Sequence, residues 1–340
     1  MRLTIAVAVL ALSSGAARAQ QLEIRMATLA PNGSPWCQVL DRIGERWRII
    51  SNGAVKLRLF AGGTLGDEPA LVNKPRIHQI QAVALTGAGM ADIDNGVAAL
   101  QIPLLIDNYD ELDYVRDRMA SKLEQRILAK GYIVLNWGDA GWVHFFTKEP
   151  MRTPNDLRRM KLFSWAGSND EFELWKANNF RPVALAATDI HMGLETGLID
   201  AVPTTPLYAL WNQIFGITRN INDIKWAPLV GAMVVDKATW DKIPQNFRDP
   251  MMAAAKEAGG DLRSGIRGMG DKALETMVVG VKGSKKTVLT VNHADDAAVA
   301  EWRKETEAVY PKLRGKIVPA DLFDEARRLR DEYRARRKAR

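Results

Sequence analysis

Residues 22–60 read LEIRMATLAPNGSPWCQVLDRIGERWRIISNGAVKLRLF, and the spacing of their apolar residues changes twice. Leu22–Ala27 alternates apolar with polar, the two-residue period of a strand with one buried face. The loop TLAPNGSPW follows. From Pro35 to about Ile50 the residues Val39, Leu40, Ile43 and Trp47 recur at helical spacing. Ser34 is placed to cap this helix, and Pro35 suits its first turn. Ser51-Asn52-Gly53 ends it, and Val55–Phe60 is the second strand. Strand, helix and strand in succession form a βαβ unit with its strands parallel.

The same change of period recurs along the chain. AGGTLGDE turns into a helix near Glu68, and Val83–Thr86 is a short strand. A charged helix over 110–130 stops at Gly131, and Tyr132–Trp137 is again a strand. The second half predicts strand 160–165, helix 170–178, strand 181–185, helix 188–197 and a short strand Ile199–Val202. A helical stretch over 250–280 carries weak stops at Gly259-Gly260 and Gly268, and a charged helix covers 319–337. This is an α/β fold with largely parallel sheet, laid out as two lobes that share strands and a long helix. Ligands of open α/β sheets sit beyond the carboxyl ends of the strands, so the cleft between the lobes is the expected site.

The chain opens MRLTIAVAVLALSSGAARAQ: one arginine, an apolar run, then small residues ending Ala17-Arg18-Ala19. That order is an export signal cleaved near Ala19, and its apolar run is too short to span a bilayer. Removing 1–19 from 340 residues leaves 321, enough for two domains, and takes the net charge from +7 to +5 by removing two arginines. Export and mild basicity argue against nucleic acid as partner. Cys37 is the only cysteine, so it forms no internal disulfide, and it is read as a buried, inert thiol.

Three stretches carry a family resemblance: Gly62-Gly63-Thr64-Leu65-Gly66-Asp67-Glu68, Thr153-Pro154-Asn155-Asp156-Leu157 continuing to Leu162, and Glu195-Thr196-Gly197-Leu198-Ile199-Asp200-Ala201. In this order they resemble the periplasmic substrate-binding proteins of tripartite ATP-independent periplasmic (TRAP) transporters, the DctP-like family, over essentially the whole mature chain. The resemblance implies a two-lobe periplasmic-binding-protein fold with crossing strands and a long hinge-spanning helix. It places residues 20–137 with about 226–260 in lobe I, and 138–225 with about 261–340 in lobe II. It also implies a periplasmic, non-enzymatic protein, monomer or homodimer, that closes on a small solute and delivers it to a permease of a small and a large membrane subunit. No cofactor is implied, and no metal, although some members of the family use a bound ion.

Most members are expected to grip a carboxylate with an arginine in a segment like K-[IL]-R-V. Here that segment is Lys161-Leu162-Phe163-Ser164, so the arginine position holds Phe163. A second family arginine follows a Gly-aromatic pair, and its position here is Val143. Burying a carboxylate without a partner costs several kcal/mol, so the ligand is expected to have aromatic or apolar character. Phe163 and Trp165 are read as pocket wall, with core packing as the alternative. Trp36, Trp137, Trp142 and Tyr208 are candidates to join them. Thr28, Asn32, Glu68, Thr86, Thr204 and Thr205 are candidate polar anchors, each of which could instead cap a helix.

Rival readings are an organic-acid receptor of the same family with a different basic anchor, an accessory protein that presents its ligand to a sensor, and an exported hydrolase. The hydrolase lacks a nucleophile motif, and the four histidines show no metal or catalytic spacing.

Overall fold

The quoted stretch folds as its spacing predicts. In the computed structural model, which describes residues 21–279 and 289–339, β1 (Leu22–Thr28) leads into α1 (Pro35–Ile50) and back along β2 (Val55–Phe60). The two strands are parallel, with Leu22 opposite Val55 and Ala27 opposite Phe60. Ser34 caps α1 by accepting from the Cys37 amide. The expected export signal, residues 1–19, lies outside the described residues.

Next come α2 (Glu68–Asn73), β3 (Ala82–Thr86), α3 (Gly87–Ile93), α4 (Tyr109–Ala129) and β4 (Tyr132–Thr147). Then follow α5 (Pro154–Arg158), β5 (Lys161–Trp165), α6 (Asn169–Ala177), β6 (Arg181–Leu185), α7 (Ile190–Glu195), β7 (Ala201–Thr204), α8 (Pro206–Trp211) and α9 (Phe215–Thr218). The chain ends with β8 (Asn220–Asn222), β9 (Ala227–Asp236), α10 (Lys237–Trp240), α11 (Gln245–Val279), β10 (Thr290–Asn292), α12 (Asp296–Leu313) and α13 (Ala320–Lys338).

The strands run in the order β2-β1-β3-β9-β4-β7-β5-β6, with β8 also on β4 and β10 beside β8. β1, β2 and β3 are parallel to one another, as are β5, β6 and β7. β4 and β9 break the pattern. β9 runs antiparallel to β3, and β4 antiparallel to β9, β7 and β8. The sheet is therefore mixed rather than largely parallel, because the strands that cross between the lobes run against their neighbours.

β4 does not stop at Trp137. Its first part pairs with β9 in lobe I, and His144–Thr147 pair with β7 in lobe II. Register shifts at Val134/Asn136 and Asp139/Trp142 interrupt the alternation, so Gly138–Gly141 resembles a loop in sequence while forming bulged strand. α11 is likewise one helix of 35 residues, without the stops expected at its glycines. A Cβ at Gly259 would lie 2.7 Å from the Asn136 Cβ, so this glycine lets the helix approach the crossing strand.

Trp47 of α1 is fully buried, donates its indole N–H to the Met251 carbonyl at 2.9 Å and packs on Trp240. It ties one end of α11 to lobe I. Ile266 and Ala273, farther along α11, pack with Leu207 of lobe II. The final helix departs from the expected boundary. Leu322, Phe323, Ala326 and Leu329 of α13 share a core with Leu112, Val115 and Met119 of α4, so the C-terminal helix belongs with lobe I rather than lobe II. Its apolar stripe is matched there, and Trp302 of α12 stays in the lobe II core with Phe145 and Phe180.

Candidate functional site

A cavity of ≈ 660 Å³ lies where the carboxyl ends of β1, β3 and β5 face one another between the lobes. Lobe I contributes Thr28, Glu68, Thr86 and Asp92, with Trp36 from the start of α1. Lobe II contributes Phe163, Ser164, Trp165, Thr204 and Tyr208. Asn136, Asp139 and Val143 of β4 and Pro228–Met233 of β9 form the wall between them.

Phe163 and Trp165 answer the question of wall or core differently. Phe163 is 6% exposed and belongs to the lobe II core with Phe146, Ile190 and Leu194, while it also lines the cavity. Trp165 is half-buried, and the two ring centroids lie 6.3 Å apart, tilted by 57°. The Trp165 indole donates across the cleft to Asp67 Oδ2 at 2.6 Å, and the same oxygen accepts from the Ala187 amide at 3.0 Å. Asp67 Oδ1 caps α2 by accepting from the Glu68 amide at 2.9 Å. One carboxylate thus joins the Gly-rich turn of lobe I to two elements of lobe II.

Glu68 and Thr86 are engaged with each other. Glu68 Oε1 accepts from the Thr86 amide at 2.7 Å, and Oε2 accepts from the Thr86 hydroxyl at 2.7 Å and the Gly89 amide at 2.8 Å. Glu68 is 1% exposed, and burial outweighs those three bonds to push its carboxyl up to about 7. Burial likewise pushes the Tyr208 phenol up to about 12, with Glu68 and Asp67 as further causes. Thr28 accepts from the Ala30 amide at 3.2 Å and so orders its own loop.

Four expected residues are not brought to the cavity. Trp137 and Trp142 lie in the lobe I core; alternation along β4 sends Trp137 to the face opposite Asn136 and Gly138, where its indole donates to Glu124. Trp142, beyond the bulge, packs on Tyr109 at 5.5 Å. Thr205 is fully buried and caps α8, accepting from the Tyr208 amide, while Asn32 is exposed on the loop after β1.

Ser164 and Asp139 are lining residues that the sequence did not single out. Ser164 is 2% exposed and its Oγ has no hydrogen-bond partner among the described residues. Asp139 is 4% exposed. Its Oδ2 accepts from Arg267 at 2.8 Å, while Oδ1 has no partner among the described residues. Arg267 is further held by both oxygens of Asp113 at 2.8 Å and stacks over Tyr109 at 4.2 Å. Among the described residues the only lysine or arginine lining the cavity is Lys316, which sits 3.3 Å from Asp170. A serine between two aromatics at a strand end was the available signal for Ser164. Nothing in the sequence distinguished Asp139 from a surface acid.

The three motif stretches build supports around the cavity. Asp200 accepts from the Lys161 amide at 3.1 Å and its own amide donates to the Lys161 carbonyl at 2.7 Å, fixing the start of β5. Thr153 and Asp156 form a reciprocal capping box at α5. Gly63, at φ +69°, carries its turn against lobe II, where an added Cβ would meet Thr188 Cγ2 at 2.9 Å.

Comparison with known proteins gives consistent matches. The family model described as bacterial extracellular solute-binding protein, family 7 (DctP), matches residues 26–316. The C4-dicarboxylate-binding periplasmic protein DctP of Rhodobacter capsulatus is 22% identical over 268 residues, covering 77% of this chain and 79% of that protein. A TRAP periplasmic solute-binding protein of Ralstonia eutropha H16, crystallised with (S)-2-acetolactate, superposes with a TM-score of 0.83 at 20% identity, over 91% of this chain and 99% of that one. The sugar acid binding protein of Advenella mimigardefordensis, in complex with galactonate, gives 0.83 at 18% identity over 92% and 99%. At these identities the structural likeness establishes the fold, a two-lobe mixed α/β periplasmic-binding architecture.

Proposed function

The chain belongs to the bacterial extracellular solute-binding proteins of family 7, the TRAP-transporter receptors, and from that premise we propose that its interlobe cavity captures a small organic solute with ring or apolar surface. Members of this family are substrate-binding proteins rather than enzymes, and they work with TRAP membrane permeases. Delivery of the solute to a two-subunit permease, and export by the segment ending near Ala19, complete the proposal for this chain.

One observation carries the ligand reading. Phe163 and Val143 line the cavity at the positions for which the motif resemblance implies arginines, and Trp36, Trp165 and Tyr208 line the same space. Burying ring surface against such walls contributes roughly 1.5–3 kcal/mol per side chain, with about 0.5–1.5 more from stacking. A cavity of ≈ 660 Å³ also lies within the range of drug-sized pockets, about 300–1,000 Å³. An organic acid is the second reading, favoured by the acids named for the relatives: C4-dicarboxylate, acetolactate and galactonate.

A thermal-shift panel separates the two. Aromatic and apolar solutes should raise the melting temperature with concentration, as ligands of the native state do. Stabilisation by succinate, malate or galactonate alone would replace the first reading with the second.

A further inference from the structure

The two faces of β5 meet different cores, and the cavity reaches both. Phe163 packs with Phe146, Ile190 and Leu194, whereas Leu162 packs with Phe145, Phe180 and Trp302. Alternation puts Trp165 on the Phe163 face and Ser164 on the Leu162 face, and both of these strand-end residues line the cavity. The cavity is therefore more than one chamber beside Phe163, Trp165 and Tyr208. It continues round the end of β5 into a second compartment on the far face.

Helices α6 and α12 wall that compartment. The α6 residues lining the cavity include Glu171, Leu174, Trp175 and Asn178, and those of α12 are Trp302, Glu305, Thr306, Val309 and Leu313. Both sets recur at intervals of three and four, so each helix presents one stripe. Trp226, just before β9, joins them: it lies 5.6 Å from Trp175, tilted by only 28°, and 5.6 Å from Trp302. Leu174, Val309 and Ile317 also pack against the lobe I core, so this compartment lies between the lobes like the rest of the cavity. The charged groups at its edge are already engaged: Asp170 with Lys316, Glu305 with Arg158, and Glu171 with the Trp175 indole at 3.2 Å. Ser164 is the exception. It is 2% exposed, and its Oγ has no partner among the described residues. A buried hydroxyl left unmet costs the native state, and a ligand group reaching it removes that cost.

We propose that this far compartment is a subsite for an uncharged aryl tail of the solute, with an oxygen substituent on the ring meeting Ser164 Oγ, while the head group stays on the Phe163 and Tyr208 side. This rests on the interlobe cavity being the solute site, and it holds for an acid head group as for a neutral one. Tryptophan rings offer faces and edges against which an aryl ring packs. A hydroxyl both donates and accepts, so Ser164 can meet a phenol or an ether alike. An aryl acid carries both features read from this cavity and from the relatives, ring surface and acid, in separate compartments.

The test compares propionate, 3-phenylpropionate and 3-(4-hydroxyphenyl)propionate, and the three matching alcohols, by calorimetry on the mature protein. In whichever series binds, the phenyl member should bind about tenfold or more tighter than the ring-free one, and the ring hydroxyl should add about threefold. Ser164→Ala should cancel that threefold gain. It should leave affinity for the phenyl member unchanged and the urea midpoint of the free protein unchanged or higher, because the free protein loses no bond. Trp175→Leu should weaken both aryl members by about fivefold or more and leave the ring-free one unchanged. Phe163→Leu probes the near compartment. Aryl probes that weaken with Phe163→Leu but not with Trp175→Leu, or a ring hydroxyl equally favourable in Ser164→Ala, would overturn the far subsite and leave the cavity reading standing. Failure of every aryl probe to bind overturns the subsite as well. Aryl binding that none of the three variants alters puts the solute outside the cavity, and the reading beneath the subsite fails instead.

Discussion

Glu68 and His144 should give the protein an unusual flat stretch in its stability against pH. Glu68 is buried and its carboxyl is pushed from 4.5 up to about 7, chiefly by burial. Between those values the native state holds a proton that the unfolded chain has released. Stability must then fall as pH rises through this window, in total by about 3 kcal/mol, at 1.36 kcal/mol per pH unit. His144 is 7% exposed and its Nδ1 lies 3.1 Å from the Asn222 carbonyl. Burial first, opposed by that carbonyl, depresses its imidazolium from 6.5 to about 4. Here the unfolded chain holds the extra proton, so stability rises as pH rises from about 4 to 6.5, again by about 3 kcal/mol.

The two slopes are opposite and overlap between about pH 4.5 and 6.5, where they should largely cancel. Glu68→Gln removes one of them. Urea unfolding followed by tryptophan fluorescence, at half-unit steps from pH 4.5 to 7.5, should show the variant gaining about 2–3 kcal/mol across the interval in which the wild type is nearly level. The variant's stability at the acid end should be lower by about 1–3 kcal/mol, because an amide cannot serve all three donors that Glu68 now meets. His144→Gln should show the reverse, a decline with pH from 4.5 onward. If Glu68→Gln and the wild type trace parallel curves, Glu68 does not titrate in this range and the account of its burial is wrong.

Gly231→Ala should destabilise the protein by about 1–3 kcal/mol in the same assay, because its Cβ would come 2.4 Å from the Leu85 carbonyl, which is backbone and cannot swing aside. Asp67→Ala removes two lobe-crossing bonds and the cap of α2, so it should weaken binding of whatever solute the panel identifies by about tenfold or more and lower stability by about 1 kcal/mol. Small-angle scattering should then show a larger radius of gyration with the solute present than the wild type has; an unchanged affinity and radius would show that these contacts do not hold the lobes together. Phe163→Arg should abolish binding of ring-bearing solutes and admit succinate, read by thermal shift, whereas loss of folding without any carboxylate response would mark Phe163 as core alone.

The sequence disclosed this architecture unevenly, and the reasons are physical. The period survives best in α1, where Val39, Leu40, Ile43 and Trp47 are buried along one stripe, and β1 and β2 also form where expected although the end of β1 is buried on both faces, Met26 in one core and Ala27 in another. β4 was read as ending at Trp137, because its bulges displace the alternation by which a strand is recognised. α11 hid its length behind glycines that serve close packing against Asn136 and not termination. In the cavity, eight of the twelve candidate residues line the wall, since strand ends converge there by topology. Trp137 and Trp142 misled because an aromatic side chain has the same identity on either face of a strand, and only the register decides which face it takes. Asp139 could not be found in advance, because its significance depends on Arg267, distant in sequence and brought alongside by the long helix.

That arginine bears on the ligand question more than its absence from the wall suggests. Arg267 approaches the cavity through Asp139, so a guanidinium is within one side chain of the solute. Yet both oxygens of Asp113 hold it at 2.8 Å, Asp139 holds it at 2.8 Å, and Tyr109 stacks beneath it. Its charge is already matched, and burial makes the arrangement costly to reopen. For an incoming carboxylate to use Arg267 it would have to displace Asp139, leaving a carboxylate that is 4% exposed without its partner. Breaking one side of such a pair costs about 3–5 kcal/mol, which exceeds the roughly 1.5–3 kcal/mol of a new charged hydrogen bond. The exchange is therefore unfavourable for an acid, and an acid bound in this cavity has to be met by groups other than Arg267.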